Sequence, residues 1–145
     1  MKTLSITLAT ALLLLDQLLK YFAAARGPST ELYTYTLNTG VTFGFFPQAN
    51  TAMIVISVAA IILLGYVLYT TQKTEFFGVS IIMAGVLSNA IDRAVRGGVV
   101  DYISVGAFPV FNLADALIIS GVALLIGLEI QKSTQNSSSS SKSSR

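Results

Sequence analysis

Residues 51–69 read Thr-Ala-Met-Ile-Val-Ile-Ser-Val-Ala-Ala-Ile-Ile-Leu-Leu-Gly-Tyr-Val-Leu-Tyr, a run without a single charged side chain. A helix rises ~1.5 Å per residue, so this run nearly spans a hydrocarbon core ~30 Å thick. It predicts a membrane-crossing helix over 51–69. Working outward from it, three further segments have the length and apolarity to cross. One covers 4–25 and is apolar except for Asp16, Gln17 and Lys20. The next, 76–93, is short and closes on Asp92 and Arg93. The last, 111–130, is apolar apart from Asn112, Asp115 and Glu129. The expected fold is mainly α: a polytopic membrane protein with four transmembrane helices in one membrane domain, residues 1–132. The Ser-rich stretch 133–145 has no apolar run and is expected to be a disordered cytoplasmic extension.

Composition agrees with lipid as the solvent. Of 145 residues, 53% are hydrophobic and only 11% charged, against roughly 25% charged in ordinary soluble domains. Mean hydropathy is +0.71. There is no cysteine and no histidine. That excludes a Ser-His-Asp triad, a thiolate nucleophile, a disulfide framework and the HExxH type of zinc site. Acid–base chemistry is left to the Asp and Glu residues, the lysines and the tyrosines, and no cofactor is expected. The net charge of +2 is too small and too scattered for a nucleic-acid partner.

The first segment also has to be weighed as a cleaved signal peptide, with Met1-Lys2 as n-region and Ala23-Ala24-Ala25 as cleavage site. Asp16 and Lys20 argue against it, because they fall between the apolar run and the alanines. Four residues apart, they share one helical face and pair there, as a retained helix requires. Lys and Arg in the short flanks then set the orientation. With the N-terminus inside, Lys2, Lys73, Lys132, Lys142 and Arg145 lie in the cytoplasm and Arg26, Arg93 and Arg96 outside, so both ends are cytoplasmic.

This orientation gathers the polar residues. Asp16 and Lys20 fall in the outer half of the first helix, Asn89, Asp92 and Arg93 at the outer end of the third, and Asn112 and Asp115 in the first turns of the fourth. Asp101 sits in the outer connection between the last two. An ionised Asp at mid-helix costs ~2.5–3.5 kcal/mol on insertion scales, so acids at membrane depth normally mark function. Each group also has a plain structural reading. Asn112 with Asp115 is a helix cap with an acid favoured by the dipole, Asp92-Arg93 is an interfacial helix end, and Asp16–Lys20 is a packing ion pair. Four acids brought towards one face exceed what those readings require. The outer loop 26–50 is partly strand: Glu31–Leu37 alternates as a strand does, and Gly40, Gly44 and Pro47 mark turns. Phe43, Phe45 and Phe46 are candidates for shaping a cleft, the last two for a lid. The stretch 99–110 is a candidate for adding a strand, so a small extracytoplasmic β-sheet is expected on the outer face.

Five fragments, in order, carry a resemblance: Asp16-Gln17-Leu18-Leu19-Lys20; Asn38-Thr39-Gly40 with Phe43-Gly44; Asn89-Ala90-Ile91-Asp92-Arg93; Gly98-Val99-Val100-Asp101-Tyr102; and Phe111-Asn112-Leu113-Ala114-Asp115. The chain resembles the lipoprotein signal peptidases, or signal peptidase II, aspartyl proteases of bacterial membranes. The resemblance implies that Asp101 and Asp115 are the catalytic pair and that Asn38, Gly40, Asn89, Asp92, Arg93 and Asn112 support the site or contact substrate, with Asp16 and Lys20 beside them. It implies a monomer in the bacterial inner membrane, active site near the outer face, acting on diacylglyceryl-modified prolipoproteins just before the lipidated cysteine. Membrane lipid is its other partner. Ser88 stands where the family commonly has glycine, and Thr42 where it has alanine; both are small, so only local fit is in question.

Elementary chemistry supports the same roles. Two adjacent carboxyls do not both ionise cheaply, so one keeps its proton and the pair titrates as a unit. The ionised member activates water while the protonated one polarises the scissile carbonyl. Arg93 is available to hold peptide carbonyls. Three other classes compete. A transporter or proton relay requires acids spread through the membrane depth, a scaffold uses the acids only for pairing with Lys20 and Arg93, and a presenilin-type protease requires a Gly-x-Gly-Asp sequence that the chain lacks.

Overall fold

The computed structural model describes residues 2–26, 33–40, 50–71 and 74–143. In chain order the elements are α1 (Lys2–Arg26), β1 (Tyr33–Asn38), α2 (Asn50–Thr70), α3 (Phe76–Arg96), β2 (Val99–Ile103) and α4 (Leu113–Ser143). Among the described residues, four helices are long and apolar enough to cross a membrane. On α2 only Ser57 is buried, while Val55, Ile56, Ile62 and Leu63 stand exposed. An uncharged helix with its large apolar side chains outward has lipid as its only suitable surroundings.

The third helix is the hub. It packs against α1, α2 and α4, and Val79, Ile81, Ile82 and Ala84 on it belong to the buried core. Apolar side chains gain little from leaving lipid for protein, so membrane helices associate through close backbone approach at small residues. Here the small residues are Gly85 and Gly121. A Cβ on Gly85 would lie 2.5 Å from the Ala114 carbonyl oxygen, and one on Gly121 would lie 2.5 Å from Ile82 Cγ1. This contact lays the start of α4 directly against α3.

At one end of the bundle, Lys2 donates to the Thr71 carbonyl at 3.4 Å and sits over the Phe76 ring, while Lys132 pairs with Glu75. The start of α1 and Lys132 therefore meet at the turn between α2 and α3. At the other end lies a two-stranded antiparallel sheet, with Asn38 opposite Val99 and Thr36 opposite Asp101. Gly97, at φ +74°, ends α3 in the left-handed conformation and turns the chain into β2.

Three boundaries differ from expectation. The third helix runs a turn beyond residue 93 to Arg96, which pairs with Asp92 one turn back. The fourth starts at Leu113, leaving Asn112 outside as its cap. It also continues through Ser143, where a disordered tail from Ser133 was expected. No glycine or proline follows Gly127. Residues 41–49, with Thr42, Phe43, Phe45 and Phe46, lie outside the described residues, as do Glu31 and Leu32 ahead of β1.

Candidate active site

Two acids are sealed inside the protein. Asp16 and Lys20, one turn apart on α1, are both 0% exposed and 2.8 Å apart. Lys20 also pairs at 3.0 Å with Asp92 of α3, itself 0% exposed. Asp16 accepts four donors: Lys20, the Ser88 hydroxyl at 2.5 Å, the Tyr102 hydroxyl at 3.0 Å and the Ala114 N–H at 3.2 Å. Asp92 likewise accepts four, from Lys20, Gln17 at 3.2 Å, the Val100 N–H at 3.1 Å and Arg96. Two anions face two cations, and every carboxylate oxygen is engaged twice. This is how buried charge becomes tolerable, and it leaves neither acid free to act on anything else. Burial, with the Asp16 charge beside it, holds the Tyr102 phenol protonated, well above its ordinary range.

Asp101 and Asp115 are held differently. Asp101 on β2 accepts from Asn112 Nδ2 at 2.7 Å and from Asn38 Nδ2 at 3.1 Å. Asp115, in the first turn of α4, accepts from Asn89 Nδ2 at 2.9 Å and from the Asn112 N–H at 3.2 Å. Every one of these donors is a neutral amide, and among the described residues neither acid forms an ion pair.

Each asparagine is aimed by what binds its oxygen. An amide side chain has one accepting and one donating end, so tying the oxygen to a donor turns the NH2 the other way. Asn38 Oδ1 accepts the Gly40 N–H at 3.2 Å, sending its NH2 to Asp101. Asn112 Oδ1 caps α4 by accepting the Asp115 N–H at 2.9 Å, again sending its NH2 to Asp101. Asn89 Oδ1 accepts from Lys20 at 2.8 Å and from Asn112 Nδ2 at 3.3 Å, so its NH2 goes to Asp115. The capping role considered for Asn112 is real. It is also the reason the side chain reaches Asp101.

Both acids border one cavity of about 580 Å³, with Asn38, Asn89 and Arg93 beside them and a wall of Val99, Phe108, Pro109, Val110, Phe111, Ile118 and Ile119. Burial pushes the Asp101 carboxyl up to about 6; the amides of Asn38 and Asn112 oppose this, and the charge of Asp115 adds to it. Among the described residues no three acids cluster as metal ligands would.

Of the residues singled out in the sequence, Asp101, Asp115, Asn38, Asn89 and Arg93 reach the cavity. Asn112 and Gly40 stand behind it, holding those that do. Asp16, Lys20 and Asp92 lie beneath, in the ion cluster. Sequence reasoning passed over Ser88, Arg96 and Tyr102 as members of that cluster. Tyr102, besides donating to Asp16, accepts the Leu113 N–H at 3.2 Å and helps cap α4. The acids of both groups gather at one end of the bundle, against the distribution a proton relay needs.

The architecture is that of a bacterial membrane enzyme. A solved structure so described, determined in meso at 2.3 Å, superposes with a TM-score of 0.81 at 29% identity, covering 92% of this chain and 91% of that one. Residues 8–131 match the family described as signal peptidase (SPase) II, and the chain belongs to that family of membrane proteases. Similar proteins include the lipoprotein signal peptidases of Halothermothrix orenii, 37% identical over 125 residues (79% of this chain, 86% of that one), and of Staphylococcus aureus strain MRSA252, 32% identical over 148 residues (91% and 90%). The one from Caldicellulosiruptor bescii is 37% identical over 100 residues (68% and 67%).

Proposed function

We propose that Asp101 and Asp115 are the catalytic pair of this peptidase, and that it removes the signal peptide from diacylglyceryl-modified prolipoproteins just before the lipidated cysteine. One observation carries the assignment. Among the four described acids at this end, these two alone border the cavity and are held only by neutral donors, whereas Asp16 and Asp92 are saturated by cations and hydroxyl or amide groups.

The pair shares one proton. The ionised carboxylate takes a proton from a water molecule as its oxygen attacks the scissile carbonyl carbon. The protonated carboxyl gives its proton to the carbonyl oxygen, producing a neutral tetrahedral diol. As the C–N bond breaks, a proton passes from the carboxyl that accepted one to the leaving nitrogen, and the diol returns the other. Arg93 holds a peptide carbonyl beside the scissile bond. The apolar wall from Val110 to Ile119 takes up acyl chain and signal-peptide side chains.

Lys2 and Lys132 lie at the end away from the site, so the positive-inside rule favours that end as cytoplasmic and the catalytic pair at the outer face of the inner membrane. Both chain ends are then cytoplasmic. The residues invoked all lie within 1–132 of one chain, which is consistent with a monomer as the working unit, with the surrounding lipid as its other partner. The test is cleavage of a lipidated precursor by purified protein. Asp101→Asn and Asp115→Asn are each expected to lower turnover by about 10²-fold or more while still unfolding cooperatively on heating. Cleavage persisting in either variant, or absent in the wild type, refutes the assignment.

A further inference from the structure

We infer that Lys20 is a positioning residue of this active site: its ammonium fixes the side-chain amide of Asn89 with the NH2 directed at Asp115. The inference rests on the reading of Asp115 as catalytic.

Lys20 is 0% exposed and has three hydrogens to place. Within 3.0 Å it meets three acceptors, Asp16 Oδ2 at 2.8 Å, Asp92 Oδ2 at 3.0 Å and Asn89 Oδ1 at 2.8 Å. The first two account for its charge. The third does something else, because an ammonium has nothing but hydrogens to offer. Asn89 must therefore keep its oxygen towards α1. Rotating the amide by half a turn would set NH2 against NH3+ on one side and oxygen against the Asp115 carboxylate on the other. The Asp115 hydrogen bond at 2.9 Å is thus set chiefly from α1, by a residue that does not reach the cavity, with the longer Asn112 Nδ2 contact at 3.3 Å holding the same oxygen.

A purely structural Lys20, there only to neutralise Asp16 and Asp92, makes a different prediction, and a double-mutant cycle separates the two. Turnover of a lipidated precursor is measured for wild type, Lys20→Met, Asn89→Ala and the double variant. Positioning predicts that Lys20→Met lowers kcat about tenfold or more with KM within about twofold, and that the same change does nothing further to kcat once Asn89 is alanine. An equal factor in both backgrounds overturns the inference, as does full activity in Lys20→Met. Removing a buried cation threatens folding, so a second comparison keeps Lys20 in place. Asn89→Asp offers its oxygens to Lys20 and to Asp115 alike, and its kcat is expected below that of Asn89→Ala; a kcat equal to or above it overturns the inference. Failure of this inference alone leaves the wild type cleaving and Asp115→Asn inactive; an inactive wild type overturns the catalytic reading and this inference together.

Discussion

Asn112 joins two tasks that a pair of substitutions separates. Its oxygen caps α4 through the Asp115 N–H at 2.9 Å, and its NH2 holds Asp101 at 2.7 Å. Alanine removes both. Loss of a cap costs about 1 kcal/mol of stability, and loss of a hydrogen bond to a charged acceptor costs about 1.5–3 kcal/mol, which in a transition state is roughly 10- to 150-fold in rate. Serine is as good a cap as asparagine, yet its hydroxyl is too short to reach Asp101. Thermal unfolding in detergent and cleavage of a lipidated precursor therefore diverge: Asn112→Ala loses the cap, the hydrogen bond and turnover, whereas Asn112→Ser keeps the cap and is more stable than the alanine variant by about 1 kcal/mol with turnover just as low. Serine restoring turnover together with stability would show that the amide's grip on Asp101 is idle and that Asn112 is a cap alone.

Three further outcomes are expected. The Asp101 carboxyl is raised to about 6 from its ordinary 3.8, so the folded protein binds this proton more tightly than the unfolded chain. Stability then rises as pH falls through that window, by on the order of 1–3 kcal/mol between about pH 7 and pH 4, a gain that Asp101→Asn lacks; identical pH dependence in the two proteins refutes it. In Gly85→Ala the new methyl meets the Ala114 carbonyl oxygen at 2.5 Å and Ile118 Cγ1 at 2.8 Å, costing about 1–3 kcal/mol and displacing Asp115 next to it. Turnover and melting temperature should fall together, and wild-type values for both would contradict the close packing of α3 on α4. Asp16→Ala strands the Ala114 N–H, the Tyr102 hydroxyl and half of the Lys20 pairing, a loss of about 3–5 kcal/mol. Its yield from membranes should collapse, and a protein of normal yield and melting temperature would show the ion cluster to be dispensable.

Much of this was legible because lipid imposes simple rules. The uncharged run 51–69 admits no other reading, and the spacing of Asp16 and Lys20 discloses a shared face. What stayed hidden depends on partners distant in the chain. Ser88 looked like a small residue of doubtful fit, but its hydroxyl donates to Asp16, 72 positions away. Lys20 looked paired within its own helix; its links to Asp92 and Asn89 exist only once α1 lies along α3. Arg96 fell outside the third helix as first bounded, because the turn that carries it is extended by its own pairing with Asp92.

On the proposed role of Asp101 and Asp115, the choice of asparagine around them follows from what a proton-sharing site requires. A cation paired directly with Asp101 or Asp115, as Lys20 and Arg96 are paired with Asp16 and Asp92, would favour the charged form of that carboxyl, and an acid fixed in its charged form has no proton to give. No donor at all would leave a buried carboxylate with an uncompensated desolvation cost. Neutral amides lie between these limits. They orient a carboxylate and stabilise it modestly, yet leave its protonation responsive to the neighbouring acid and to burial. Such donors work only if they cannot flip, and here a backbone N–H, a helix cap and a buried ammonium each hold one oxygen in place. The ion cluster beneath the cavity thereby leaves the two acids without an ion pair among the described residues, while Lys20 and Arg93 act on them only at longer range and the cluster still determines how they are held.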